Sequence, residues 1–324
     1  MDPALRAAVI GAGKIGRHHA KWYHRAGCTL VGYAVSSPES VATRATEMQV
    51  ECPEVGVGYT DIGALLDEQR PDLVSVCTPA EHHYAAARLA LERGVAVLCE
   101  KPLVWSVDPA TARREAADLV ALSEASSTPL AVNLQYTYAA DSYRELVAPA
   151  AAPRRCEVVL ESRGKGAERT PAEVWMELGP HALSLAFGLL PGYELDLASV
   201  TVETAPRTAL AGFALDGPES RVQASVRCGQ VMEGDLTRCF GLDGQLVDYA
   251  GRNNAAGDFC TYLKFAGLEH EYADLMRSSI ERFVAALRGE SRRFVDGRAG
   301  LRNLEAQLAV TEAIHRSLER RADG

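Results

Sequence analysis

A lysine, a glutamate and a histidine are the residues of this 324-residue chain whose types and spacing could do chemistry together. Lys101 stands just after the apolar run 95–99, in the stretch Glu100-Lys101-Pro102. An ammonium held at the mouth of a strand can hydrogen-bond a substrate oxygen and steady negative charge as it develops there. Glu177 and His181 lie four residues apart, so a helix that begins near Met176, with Pro180 in its first turn, projects both from one face. A carboxylate beside an imidazole fixes its tautomer and raises its basicity, which suits proton transfer near neutral pH. Both features also have ordinary readings. Lys101 fits a solvated strand-end lysine equally well, and Glu177 with His181 fits a surface i, i+4 pair worth a few tenths of a kcal/mol.

The elements that must hold these groups begin with a glycine loop. Gly11, Ala12, Gly13, Lys14, Ile15 and Gly16 follow the apolar run 7–10 and open a helical stretch that runs to about Ala26. Strand, tight turn and helix in this order put backbone N–H groups at a helix start, where a pyrophosphate binds; Gly13 lets the backbone approach and Gly16 lets the helix pack on the strand. Lys101 follows Gly16 by 85 residues, which puts its ammonium where a nicotinamide ring would lie. At the end of the second apolar run (29–35) the chain reads Ser36-Ser37-Pro38, with no carboxylate to repel a 2′-phosphate. Ser36 and Ser37 can hydrogen-bond such a phosphate, with Arg17 or Arg44 in reach, so NADP is preferred over NAD; the plainer reading makes Ser37 a helix cap. Thr78, Pro79 and His83, at the carboxyl edge of the run 72–77, join Glu100 and Lys101 as cofactor contacts, although His82 and His83 alone read as loop residues.

Apolar runs without alternation at 7–10, 29–35, 72–77, 95–99 and 130–132 alternate with helical stretches at 38–48, 82–93 and 108–122. This predicts a doubly wound parallel sheet covered on both faces. Beyond residue 133 the texture changes. Ala198, Val200 and Val202 alternate with polar residues, as do Val222, Ala224, Val226 and Cys228, and Asp243-Gly244 reads as a hairpin turn. Two amphipathic helices, around 276–287 and 301–318, finish the chain. The expected organisation is a dinucleotide-binding domain over 1–130 and a substrate-binding and oligomerisation domain over 131–324 with a large, mainly antiparallel sheet. The closing helices are assigned to the second.

Composition excludes several classes. A net charge of −9 argues against a nucleic-acid or anionic-membrane surface, and no apolar run is long enough to span a bilayer. The N-terminus lacks the layout of a signal peptide, so a cytoplasmic protein is expected. Eight cysteines and eight histidines form no CxxC, HExxH or HxH, and no metal site is read.

The segments GAGKIGRHH (11–19), TPAEHH (78–83), EKPL (100–103) and ELGPH (177–181) resemble, in order, the motifs of the Gfo/Idh/MocA oxidoreductases. The resemblance covers nearly the whole chain. It implies NAD(P)-dependent hydride transfer between nicotinamide and a secondary alcohol or ketone of a sugar, deoxysugar or cyclitol-like molecule. It also implies that Lys101 and His181 work at the substrate hydroxyl, that the Lys101–Pro102 bond is cis, and that the second sheet makes a homodimer or homotetramer.

Three departures stand out. Glu177 replaces the usual Asp four residues before the histidine, Ser184 replaces a frequent Asp three residues after it, and Asn133-Leu134-Gln135-Tyr136-Thr137-Tyr138 carries aromatics where the family is rich in arginine. Fewer charged partners imply a less hydroxylated substrate, contacted by Gln135, Tyr136, Tyr138, Arg163, Trp175 and Ser184. The alternatives are an NADPH-dependent imine reductase, in which His181 protonates nitrogen, and a dinucleotide-binding regulator or scaffold without catalysis.

Overall fold

The computed structural model describes residues 4–322 apart from 165 and 292. They divide into two compact units.

The first unit runs to Asn133 and takes in Met276–Leu304. Its chain alternates β1 (Arg6–Ile10), α1 (Lys14–Arg25), β2 (Thr29–Ala34), α2 (Pro38–Gln49), β3 (Val57–Tyr59), α3 (Ile62–Gln69), β4 (Leu73–Val76), α4 (His83–Leu91), β5 (Ala96–Cys99), α5 (Pro109–Ser126) and β6 (Leu130–Val132). The six strands are parallel in the order β3-β2-β1-β4-β5-β6. The order reverses between β1 and β4, and a crevice at the carboxyl ends of these strands is where doubly wound sheets bind ligands. Helix ends follow local chemistry: Asp108 caps α5 by accepting from the N–H groups of Ala110 and Thr111, and Pro109 opens it.

The second unit is Leu134–Leu275 with the chain from Glu305 onward. Here α6 (Ala139–Leu146) and α7 (Pro171–Leu189) accompany β7 (Arg155–Arg163), β8 (Glu194–Ala205), β9 (Thr208–Asp216), β10 (Arg221–Val231), β11 (Arg238–Leu242), β12 (Gln245–Asn253), β13 (Phe259–Phe265) and β14 (Leu268–Ala273). The sheet order is β14-β13-β12-β11-β7-β10-β9-β8, antiparallel except for the parallel pair β7–β10. In β10 the predicted alternation is present: Val222, Ala224, Val226 and Cys228 are buried, and Arg221, Gln223 and Ser225 are exposed. The Asp243-Gly244 turn joins β11 to β12 with both residues at positive φ (49° and 82°), the geometry of a type I′ hairpin.

The domain boundaries expected at 130 and 131 shift, and the closing helices divide differently. Ile280, Phe283 and Val284 of α8 (Leu275–Leu287) pack among Ala7, Trp22, Tyr23, Leu73 and Leu98, so α8 completes the core of the first unit. The last helix, α9 (Gly297–Ala322), has its opening turns in the first unit and its remainder in the second. No helix among the described residues is long and apolar enough to cross a membrane.

Candidate active site

The glycine loop has the shape that a dinucleotide requires. Gly11 has φ +93°, and a Cβ there would meet the backbone of Cys77 and Thr78 at 2.6 Å; a side chain at 16 would collide with the Gly11 carbonyl and Val9. A side chain at Gly13 would meet no atom within 4 Å. Glycine at 11 and 16 thus closes the turn on β4 and β1, whereas Gly13 leaves its backbone bare at the N-terminus of α1. No acidic residue occupies the first turn of α1 to oppose an anion. The Thr78 hydroxyl is buried without a protein hydrogen-bond partner. An open N–H edge and an unsatisfied hydroxyl fit a dinucleotide.

At the end of β2, Ser36 is exposed and Ser37 occupies the N-cap position of α2 without making the capping bond. The Ser37 hydroxyl instead lies 3.1 Å from that of Ser40. Arg17 and Arg44 converge on one oxygen of Glu47, at 3.3 and 2.5 Å, and the Arg44 hydrogen bond holds that carboxyl below its ordinary range.

His83 departs from its predicted place as a cofactor contact. It is 1% exposed, with Nδ1 2.7 Å from the Pro102 carbonyl and Nε2 3.0 Å from the Thr78 carbonyl. A ring with one N–H donates to only one of these carbonyls, and the shorter contact favours Pro102, so the buried ring is wedged between the two loops.

Lys101 is half-buried directly beyond β5, and the Lys101–Pro102 bond is cis. Burial pushes its ammonium below the ordinary lysine range, and Glu100 opposes the shift. The Glu100 carboxylate accepts from Asn133 Nδ2 at 2.6 Å and faces His19 Nε2 at 2.9 Å, while its other oxygen accepts the Lys101 backbone N–H at 3.2 Å. Burial alone would raise the Glu100 pKa, but His19, Asn133 and the Lys101 ammonium outweigh it and hold the carboxyl at about 2.

In the second unit, α7 starts five residues earlier than the predicted Met176. Thr170 and Glu173 form a reciprocal capping box with Pro171 in the first helical turn, so Pro180 lies in the helix interior. The sequence signal Thr-Pro-Ala-Glu was present and marks this start. Glu177 and His181 sit one turn apart on α7, and the Glu177 carboxylate is paired with Arg169. The ring of Tyr136 lies 4.6 Å from that of His181, tilted by 40°, and 5.4 Å from that of Tyr249. The two phenols are 3.5 Å apart, and burial, then the Tyr136 neighbour, push the Tyr249 phenol well above its ordinary range.

Tyr136 and His181, both expected at the site, are therefore brought together. Tyr249 joins them unforeseen. Its only signal was an aromatic on an alternating strand beyond the Asp243-Gly244 turn, two residues from the buried Val247.

Other candidates separate. Gln135 presents a buried side-chain oxygen without a protein partner. Tyr138 is buried in the same turn. Trp175 is fully buried and donates Nε1–H to the Gln307 carbonyl at 3.2 Å; Ser184 is buried and donates to the His181 carbonyl at 2.7 Å. Both serve packing and backbone satisfaction, which corrects their assignment as substrate contacts. Arg163 donates to the Met232 and Gly234 carbonyls at 3.5 and 2.6 Å, and so braces a strand end.

Residues 5–134 match the model of an oxidoreductase family with an NAD-binding Rossmann fold, GFO_IDH_MocA. These residues carry the NAD-binding Rossmann domain of the Gfo/Idh/MocA oxidoreductases. UDP-N-acetylglucosamine 3-dehydrogenase of Acidithiobacillus ferrooxidans is 28% identical over 98% of this chain and 99% of its own. Its solved structure superposes with a TM-score of 0.72 at 26% identity, over 96% of this chain and 98% of that one. Inositol 2-dehydrogenase 4 of Saccharopolyspora erythraea is 36% identical over 31% of this chain and 28% of its own. A scyllo-inositol dehydrogenase from Lactobacillus casei, solved with NAD(H) and scyllo-inositol, shares the fold with a TM-score of 0.70 at 13% identity, over 97% and 98% of the two chains. Residues 5–134 are thus an NAD-binding domain, and the relative that matches this chain over nearly its whole length is a dehydrogenase.

Proposed function

We propose that this Gfo/Idh/MocA enzyme transfers hydride between a nicotinamide dinucleotide and a secondary alcohol or ketone of a sugar, nucleotide-linked sugar or cyclitol. The observation that carries the reading is a half-buried lysine at the end of β5, in the same sheet as an open glycine loop, in a chain that matches a sugar-nucleotide 3-dehydrogenase along its whole length.

Gly13 and the start of α1 hold the pyrophosphate. When bound, the nicotinamide supplies the hydride-accepting carbon. The Lys101 ammonium donates a hydrogen bond to the reacting oxygen and steadies its alkoxide character. His181 exchanges the hydroxyl proton through its imidazole, with Tyr136 against its ring and Glu177, itself held by Arg169, one turn before it on α7. Tyr136 and Tyr249 give the site an apolar, phenol-edged wall, which favours a substrate ring with few free hydroxyls, so UDP-N-acetylglucosamine, with three on its sugar, is expected to outperform myo-inositol, with six.

NADP is the preferred cofactor. The turn after β2 carries Ser36 and Ser37 without a carboxylate, and Arg17 and Arg44 meet on the Glu47 carboxylate of α2, an anion site nearby.

The test pairs two measurements. Fluorescence titration with NADH and NADPH is expected to give tighter binding of NADPH. UDP-N-acetylglucosamine and myo-inositol, offered with NADP⁺ and NAD⁺, are expected to yield reduced cofactor with at least one pair, and turnover is lost in Lys101→Ala while cofactor affinity stays within about twofold of wild type, since the ammonium acts at the transition state. A Lys101→Ala protein that still turns over sinks the assignment.

A further inference from the structure

Two buried histidines in the first unit have no part in the chemistry assigned so far, and each grips one side of the Lys101-Pro102 segment. His19, on the inner face of α1, is 0% exposed. Its Nδ1 lies 2.7 Å from Ser75 Oγ, and Ser75 Oγ lies 2.6 Å from the Tyr23 hydroxyl. The Glu100 carboxylate can only accept, so a His19 ring with one N–H carries it on Nε2 and takes the single Ser75 proton at Nδ1, which leaves the buried Tyr23 hydroxyl to donate to Ser75. Ser75 then gives its own proton to Nδ1, and His19 presents Nε2–H to the Glu100 carboxylate, which can only accept. The chain of donors therefore runs one way, from Tyr23 through Ser75 and His19 to Glu100. Asn133, 1% exposed, adds a second donor to the same Glu100 oxygen. The other oxygen takes the Lys101 backbone N–H.

On the far side, His83 Nδ1 lies 2.7 Å from the Pro102 carbonyl, the shorter of its two contacts, and with its one N–H there it donates to Pro102, while Nε2 only packs 3.0 Å from the Thr78 carbonyl. A lysine has four rotatable side-chain bonds, and only a fixed backbone gives its ammonium a repeatable position. Polar groups buried this deeply cost stability unless every donor finds an acceptor, and these do so along a line that ends at Lys101.

We infer that His19, through Glu100, and His83, through the Pro102 carbonyl, are positioning residues that fix the backbone of Lys101 for reaction. The inference rests on the assignment of Lys101 to the substrate oxygen. Neither histidine is a catalytic residue.

Amide side chains separate the two nitrogens of each imidazole, because Gln reaches the position of Nε2 and Asn that of Nδ1. His19→Gln keeps the donor to Glu100, and His19→Asn keeps only the Ser75 side. His83→Asn keeps the donor to Pro102, and His83→Gln keeps only the Thr78 side. The expected pattern therefore crosses. His19→Asn and His83→Gln lose roughly 10–100-fold in kcat, the size of a misplaced catalytic group, with KM and NADPH affinity near wild type. His19→Gln and His83→Asn keep kcat within about threefold.

A second reading needs no substrate. The Lys101 amine is labelled with fluorodinitrobenzene, its rate is followed by peptide mass spectrometry, and the two damaging variants are expected to label faster than the two rescuing ones. Equal kcat losses in Asn and Gln at each position, or equal labelling rates in all four, would overturn the inference and reduce both histidines to core packing. A wild-type protein without turnover on any offered pair would instead count against the proposed function, and the labelling comparison would still decide the positioning role.

Discussion

Lys101 carries the sharpest consequence at the scale of single residues. In the role proposed for it, its ammonium must hold a proton to donate to the reacting oxygen, and burial lowers its pKa in the folded protein. Turnover should therefore fall as pH rises, along an alkaline limb lying below the pH near 10.5 at which an ordinary lysine loses its proton. In Lys101→Arg the guanidinium stays charged through this range, and the residual rate should lose that limb. A kcat profile with its alkaline limb at 10.5 or above contradicts the assignment. The identity of Lys101 as a candidate was legible in four ordered motifs, and so were Gly11, Gly13 and Gly16, because short local spacings encode a turn. His19, Ser75 and Tyr249 were not. Their partners lie far away in the chain, His19 being 81 residues from Glu100 and Tyr249 113 from Tyr136, and no local pattern records which strands will bring them together. Trp175 and Ser184 misled for the converse reason: their place beside a motif said nothing about which face of α7 turns inward.

At the level of elements, α7 is decided by its first turn. Pro180 lies within the helix, where a proline removes a backbone donor and strains the preceding turn. The reciprocal bonds of Thr170 and Glu173 stabilise the start of the helix and set the phase of everything after it, His181 included. Thr170→Ala is expected to cost about 1 kcal/mol of stability in urea unfolding. Turnover should fall along with it as His181 loses definition, and a loss below a few tenths of a kcal/mol counts against the cap. Long apolar runs made five of the six strands of the first sheet readable. β3 escaped because Val57-Gly58-Tyr59 is broken by a glycine and forms no apolar run, and the eight-residue α3 and α6 escaped because about two turns leave too few residues to establish a period. The amphipathic pattern of α8 showed that it covers something. It did not show that Ile280 and Phe283 belong to the core around Tyr23.

For the molecule as a whole, acid is the informative stress. The Glu100 carboxyl titrates at about 2 in the folded chain against an ordinary 4.5, so its contribution is complete above 4.5 and is lost as pH falls toward 2. The linkage is on the order of 3 kcal/mol. The urea midpoint of wild type should fall through this window more steeply than that of Glu100→Gln, and parallel curves would show that the carboxylate is not held as described. The second sheet bears on assembly: Gln223 and Ser225 are exposed on β10, and Ser225 lies opposite Gly212 of β9, leaving a shallow polar surface with small side chains. We propose that copies of the chain associate through this face. Light scattering should give a dimer or tetramer that Ser225→Glu shifts toward monomer, and a monomeric wild type overturns the proposal. The β7–β10 pairing also dictates an order of events during synthesis. The register sets Arg155 against Gln223, so β7 leaves the ribosome 68 residues before its parallel neighbour exists. Its other neighbour, β11, follows later still, which leaves both edges of β7 open in the nascent chain. A chain stalled before Arg221 therefore carries the middle strand of a sheet with nothing on either side, a natural target for chaperones and a starting point for aggregation.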